Sequence, residues 1–353
     1  MKRLLCIILL CLLVVCNNYG QGEKDFKIIT LAFYNVENLF DYEDDPLTFD
    51  NDRTPEGKDH WTLEIYEAKV ANMADVISKI GKETTGSIPE IIGLSEIENR
   101  RVLEDLLKQE PLSAINYGVI HFDSPDRRGI DVALLYQKKI FVPTYYKAKE
   151  LILYKNNDKT KRIYTRDQLV VSGMLDGEKI HLIINHWPSR SGGEASSRPK
   201  RIKAAKLNKR IIDSIFSEDP YAKIITMGDF NDDPTNPSIK KVLKTKSSRD
   251  NLKIKQLYNP MEAMYKKGQG TLAYRDAWNL FDQIILSAEL LKKDYSSYRF
   301  YKAGIFNKRF LETPMGQYKG YPFRSFVNEY TGGYSDHFPV FVYLIKEKTT
   351  NNK

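Results

Sequence analysis

The sequence predicts a mixed α/β fold with at least one sheet covered by helices. Three observations carry this. Short apolar, β-branched runs alternate with helix-periodic segments through the first half of the 353 residues. Adjacent strand-like runs then dominate the second half. Six polar motifs follow or adjoin these runs: Asn35-Val36-Glu37-Asn38, Ser95-Glu96-Ile97-Glu98-Asn99, Asn185-His186-Trp187-Pro188, Gly228-Asp229-Phe230-Asn231, Asp282-Gln283 and Ser335-Asp336-His337. Carboxylates, amides and imidazoles placed repeatedly at strand ends point to one convergent site.

The N-terminus stands apart from the fold. Lys2-Arg3 precede the apolar run Leu4 to Val15, which has signal-peptide length and is short for a membrane span. Residues 1–20 therefore read as a secretory signal peptide, and the expected location is secreted or periplasmic. The alternative is a lipoprotein anchored at Cys16, against which Val15 stands where a small residue is usual. All three cysteines, Cys6, Cys11 and Cys16, fall in this segment. The expected mature chain thus has no disulfide and no thiolate nucleophile or ligand.

Residues 21–347 read as a single domain and 348–353 as a disordered tail. Lys27 to Tyr34 is a strand. Leu63, Tyr66, Val70, Met73, Ile77 and Ile80 recur at spacings of three and four and mark a helix ended near Gly81. Ile91 to Leu94 is a short buried strand, and Val102 to Lys108 a helix. Ile130 to Tyr136 and Leu169 to Leu175 are strands, and Asp176-Gly177 turns the latter into Ile180 to Ile184. Ser197 with Pro199 starts a basic helix carrying Ile202, Ala205, Ile211 and Ile215. Ile224 to Met227 is a strand delivering Gly228-Asp229, and Asn236-Pro237 opens a short helix. Phe281 to Leu286 and Phe338 to Ile345 are late strands. Lys240 to Lys255 reads as a solvated insertion, and the aperiodic stretch Tyr298 to Tyr330 as a surface excursion near the site.

The motifs carry chemistry. Gly228 permits a tight strand end, and Asp229 and Asn231, two residues apart, share a face that orients a water and steadies a phosphate oxygen. An Asx-type turn is the structural alternative. Glu96 follows an apolar run and suits a hard cation, which keeps several waters and needs one or two carboxylates; Glu98 has the same parity and competes. Asp336-His337 places an acid beside an imidazole suited to proton transfer near neutrality, and Asp282 is positioned to orient that ring. His186 precedes Arg190 and Gly192-Gly193, which together can cradle a phosphate. Trp187 reads as core before it reads as a base-stacking platform. Asn35 ends the first strand, where it holds a metal-bound water or positions a carboxylate; the role of Glu37 stays open. Arg128 is either a phosphate clamp or half of a structural ion pair.

With these residues in order across nearly the whole mature chain, the sequence resembles the endonuclease/exonuclease/phosphatase superfamily. Asn35 to Asp41 and Arg128-Gly129-Ile130-Asp131 are most similar to its secreted bacterial branch. The resemblance implies an α+β, four-layered α/β/β/α sandwich of two packed mixed sheets, with the site at one edge. It implies Mg²⁺, or Mn²⁺, bound mainly by Glu96 with Asp336 and Asn35 near or in its shell. His337 paired with Asp282 would promote water attack, with Asp229 the rival base, and Asn231 and His186 would hold phosphate oxygens. No covalent enzyme intermediate is implied. Ser95 departs from the Gln that many members carry before the metal-binding Glu.

The expected function is phosphoester hydrolysis by in-line water attack, with nucleic acid as first substrate. Formal charge is +8, and +6 remains once Lys2 and Arg3 leave with the signal segment, an excess that favours anionic partners. The alternatives are a phospholipid such as sphingomyelin, or a phosphorylated small molecule of the inositol-phosphate type. A non-catalytic binding module on the same scaffold is a further alternative, opposed by the presence of both Glu96 and His337. No obligate protein partner is implied.

Overall fold

A computed structural model describes residues 25–348. The expected signal peptide, its three cysteines and residues 349–353 lie outside the described residues. Two six-stranded mixed sheets pack face to face. The first runs, edge to edge, Arg299–Ile305, Val340–Glu347, Phe26–Leu39, Ile91–Ile97, Asp131–Gln137 and Tyr117–His121; only the Phe26–Leu39 and Ile91–Ile97 pair is parallel. The second runs Leu257–Tyr258, Asp282–Ser287, Ile224–Asp229, Glu178–His186, Gln168–Leu175 and Phe141–Lys149, with Ile224–Asp229 parallel to Glu178–His186.

Period-two alternation assigns each strand's two faces. Ile29, Leu31 and Phe33 meet Leu182, Ile184, Met227 and Ile284 between the sheets. Ala32, Tyr34 and Ile92 face the helices Leu63–Lys79 and Arg100–Lys108 on one outer face. Ile183, Ile224 and Ile285 face the helix Glu194–Glu218 on the other. The result is the four-layered α/β/β/α sandwich that the resemblance implies. Local chemistry fixes the helix ends: Thr62 and Asn99 cap the first two helices by accepting from Ile65 N and Val102 N. Gly81 closes the first at φ +73°, and a Cβ there would lie 2.8 Å from the Thr30 side chain.

The structure corrects three expectations. The stretch after Tyr298 is not wholly a surface excursion: Arg299–Ile305 is an edge strand with Phe300 and Ala303 buried. A bulge between Phe300 and Lys302 leaves Tyr301 and Lys302 both exposed, which breaks the period of two and hides the strand. The last strand continues through Glu347, and Lys348 bonds Asp25, so Lys348 is not part of a disordered tail. The edge strand Phe141–Lys149 escapes sequence reading because most of its residues face solvent. Among the described residues, no helix is long and apolar enough to cross a membrane.

Candidate active site

The inter-sheet stripes end in polar residues at one open edge of the sandwich. Leu31 and Phe33 are continued by Asn35, Leu182 and Ile184 by His186, Ile225 and Met227 by Asp229, and Leu286 and Ile284 by Asp282. Asp229 stands opposite Asp282 and beside His186 in the sheet register. All four side chains are buried. The same alternation that builds the core thus carries the site to its rim.

Glu96 arrives differently. The register slips between Ser95 and Ile97, and Glu96 sits at φ +64°, a left-handed conformation unfavourable for a non-glycine residue. Glu37 and Asn38, beside it on the parallel strand, are also left-handed, at φ +51° and +50°. This double irregularity re-aims Glu96 toward Asn35 and breaks its shared parity with Glu98. Glu98 points elsewhere and accepts from Asp41 N at 2.6 Å; burial, then the charges of Asp41 and Asp50, push its carboxyl up to about 8.

Asn35 bridges the two halves. Its Nδ2 lies 3.2 Å from both Glu96 Oε1 and Asp229 Oδ2. Its Oδ1 accepts from Glu37 N at 3.0 Å, and its carbonyl accepts from Ser335 Oγ at 2.7 Å. Asn35 therefore positions both carboxylates. His186 Nε2 stands 3.5 Å from Asp229 Oδ2 and 3.8 Å from Glu96 Oε1. Burial, then the nearby Arg166 and Arg128 charges, hold His186 well below its ordinary pKa, so it is neutral.

His337 Nδ1 is 2.6 Å from Asp282 Oδ2, leaving Nε2 free and 3.9 Å from Asp336 Oδ1. Burial opposes its charge, but the Asp282 and Asp336 carboxylates outweigh it and raise the ring well above its ordinary range. Burial first, then the Asp282 and Glu96 charges, raise Asp229 to about 7 against the pull of His337. Burial and Glu37 raise Asp336 to about 6. A cation beside these carboxylates would favour their ionised forms.

Asn231 forms the expected turn and stays in the site: its amide N donates to Asp229 Oδ1 at 2.8 Å, and its Nδ2 to the Trp187 carbonyl at 3.0 Å. Both readings of that motif hold together. Gly228 is required by a close approach, since a Cβ there would lie 2.2 Å from the Asn185 carbonyl oxygen. Trp187 is core: it is fully buried, edge-on to Phe230.

The two arginines part company. Arg128 is half-exposed, and its charge reaches His186. Arg190 is tied into the framework: its guanidinium faces Asn231 O, Asp233 and Asn236 and lies over the Phe281 ring, so its fork is not open to a phosphate. Lys203, Lys206 and Arg210 of the basic helix line a hollow with Glu150, Leu151 and Ile152 instead of flanking the site.

Sequence reasoning missed Arg324. It donates Nε to Glu37 Oε1 at 2.8 Å and brings Nη2 within 3.4 Å of Asp336 Oδ2. Glu37 also accepts from Ser325 N and Oγ, and buried Lys69 donates to Ser325 Oγ. The sole signal was one arginine inside an aromatic, aperiodic run. An aromatic row leads outward from His337: Phe338 stacks on Trp278, Trp278 meets Tyr321 and Tyr321 meets the exposed Tyr318.

The donor set fits a hard divalent ion. Glu96 and Asp336 offer oxygens, and each charge bears on the same pocket. Asp229, Asp282 and His337 also bring donor atoms within 4.8 Å of one another. That trio is the poorer choice, because an imidazolium bonded to Asp282 has no lone pair to give.

The sequence profile described as "Endonuclease/Exonuclease/phosphatase family" matches residues 30–346. No curated protein matches the chain. Among solved structures, TDP2 from D. rerio complexed with a single-strand DNA product is similar at TM-score 0.52 and 14% identity, covering 90% of this chain and 99% of that one. An endonuclease/exonuclease/phosphatase family protein from Bacteroides thetaiotaomicron has TM-score 0.52 and 15% identity, covering 94% and 99%. The mannosyl-6-phosphatase Bt3783 of Bacteroides thetaiotaomicron has TM-score 0.50 and 17% identity, covering 90% and 99%. At these identities the likeness is one of fold.

Proposed function

The chain belongs to the endonuclease/exonuclease/phosphatase family, hydrolases of phosphate esters that use divalent metal ions, and on that footing we propose that it is a Mg²⁺-dependent phosphodiesterase acting on nucleic acid. One observation carries the reading: Glu96, Asp229 and the His337–Asp282 pair converge on one buried edge through Asn35. Glu96 and Asp336 would hold the ion, with Asn35 aligning Glu96. When bound, the ion supplies Lewis-acid stabilisation of charge on phosphate oxygens.

The protein's own groups divide the proton work. His337 is charged and holds its Nδ1 proton on Asp282, so its Nε2–H donates to a phosphate oxygen as negative charge develops. Asp229, near neutrality and steadied by Asn231 and Asn35, is the better acceptor for the proton of the attacking water. Neutral His186 and the Asn231 amide flank the same space and limit phosphate orientation.

The aromatic row ending at Tyr318 supports a polynucleotide, because bases stack on such side chains without sequence preference. Net positive charge agrees. The second reading is a phosphorylated small molecule, favoured by the basic helix turning its cations away from the site. Export by the N-terminal segment is part of the proposal; the mass of the mature N-terminus tests it.

The function is tested by turnover on single-stranded DNA, RNA, sphingomyelin and a sugar phosphate, with Mg²⁺, Mn²⁺ or chelator. Polynucleotide cleavage that needs metal, and is lost in Glu96→Ala and His337→Ala, is the expected result. Phosphate release from the sugar phosphate alone would move the assignment to the second reading. Full activity in either variant removes the role given to that residue.

A further inference from the structure

We propose that the chain carries a second metal site, distinct from the catalytic pocket, built from His121, Asp131 and Asp167 and suited to Zn²⁺. His121 ends the strand Tyr117–His121, and Asp131 opens its antiparallel partner, so the loop 122–130 closes over both. Asp167 immediately precedes the strand Gln168–Leu175 of the other sheet. Asp131 and Asp167 line one small hollow together with Phe122 and Ser124.

The donor atoms are buried and unsatisfied. The His121 side chain is 3% exposed, yet Nε2 has no hydrogen-bond partner. Asp131 Oδ2 lies 3.3 Å from that nitrogen but does not accept a hydrogen bond from it. A hydrogen bond would put the oxygen along the N–H axis. Two ligands of one ion aim instead at a third point, and donors about 2.0–2.2 Å from zinc at tetrahedral angles lie roughly 3.3 Å apart. Asp167 Oδ1 is likewise buried without a partner, and its carboxylate feels the Asp131 charge across the hollow.

Supporting contacts orient the donors. Ser124 N donates to Asp131 Oδ1 at 2.8 Å, leaving Oδ2 for the ion. Asp123 Oδ1 stands 3.8 Å from His121 Nδ1, on the far side of the ring. A plain His121–Asp131 ion pair would leave the Asp167 oxygen unsatisfied, whereas one cation satisfies all three. An imidazole among carboxylates selects a borderline ion such as Zn²⁺ over Mg²⁺ or Ca²⁺, which prefer oxygen alone.

The site has a structural consequence. The loop it would staple carries Arg128, whose charge reaches His186, and Asp126, which holds Arg166 at 2.9 Å. Arg166 in turn donates to the Trp187 carbonyl at 2.7 Å. The ion would fix the loop that presents Arg128 to the catalytic pocket.

The test counts metal and does not depend on catalysis. Full-length protein is stripped with chelator, dialysed against Zn²⁺ and its zinc measured, in a Glu96→Gln background that weakens the catalytic site. About one zinc per chain should remain, and adding His121→Ala or Asp131→Asn should remove it. Adding Asp167→Asn should weaken binding about tenfold or more, and serves if His121→Ala does not fold. Zinc should raise the melting temperature of the Glu96→Gln protein and fail to do so once His121 is also replaced. No zinc in the Glu96→Gln protein, or zinc unchanged on replacing His121, Asp131 or Asp167, overturns the proposal; equal stabilisation by Mg²⁺ or Ca²⁺ overturns the choice of ion.

Discussion

Asp282 Oδ2 lies 2.6 Å from His337 Nδ1, and both side chains are buried at the sandwich edge. The contact fixes the tautomer and sustains the imidazolium. Asp282→Asn should cut kcat about 10²–10⁴-fold. Without the carboxylate the His337 pKa falls, so the alkaline limb that follows loss of its proton should move to lower pH. A pH–rate profile reads this; an unmoved limb with reduced kcat would assign Asp282 a packing role only.

Asn35 donates to Glu96 and Asp229 at the same 3.2 Å. Asn35→Ala frees both carboxylates, and the metal concentration for half-maximal activity should rise about 10–100-fold. Titrating activity with Mg²⁺ checks it. Unchanged metal dependence would mean that the irregular backbone alone positions Glu96.

Glu178 ties the sheets together at the edge away from the site. It accepts from Lys346, Lys223 and Tyr298 N. Burial raises its carboxyl, but these partners outweigh it and hold it at about 2, below the ordinary 4.5. Its contribution is therefore complete above about pH 5 and lost as pH falls toward 2. Glu178→Gln should cost about 1–2 kcal/mol at neutral pH, allowing for solvent screening, and little at pH 2. Denaturant melts at both pH values measure the difference.

Gly228→Ala should destabilise the protein by about 1–3 kcal/mol. The added methyl meets the Asn185 carbonyl oxygen at 2.2 Å and must push the Asp229 strand end aside. Calorimetry and kcat should fall together. Wild-type stability would show that the strand pair yields freely.

Legibility followed periodicity. Strands with one buried face and helices with a clear stripe announced themselves, and with them Asn35, His186, Asp229 and Asp282 at their ends. What broke the period stayed hidden. The slip at Ser95–Ile97 made Glu98 look equivalent to Glu96, and the bulge after Phe300 concealed an edge strand. Arg190 looked like a free fork because sequence does not reveal the Asp233, Asn236 and Phe281 that occupy it.

The order of residues by itself determined the layered fold and which polar groups end its strands, since both follow from local alternation of apolar side chains. Tertiary structure alone decided which carboxylate faces the pocket, which arginine is engaged, and which protons are held. Those outcomes depend on burial and on charges brought close by residues far apart in the chain, such as Asp282 and His337 or Glu37 and Arg324.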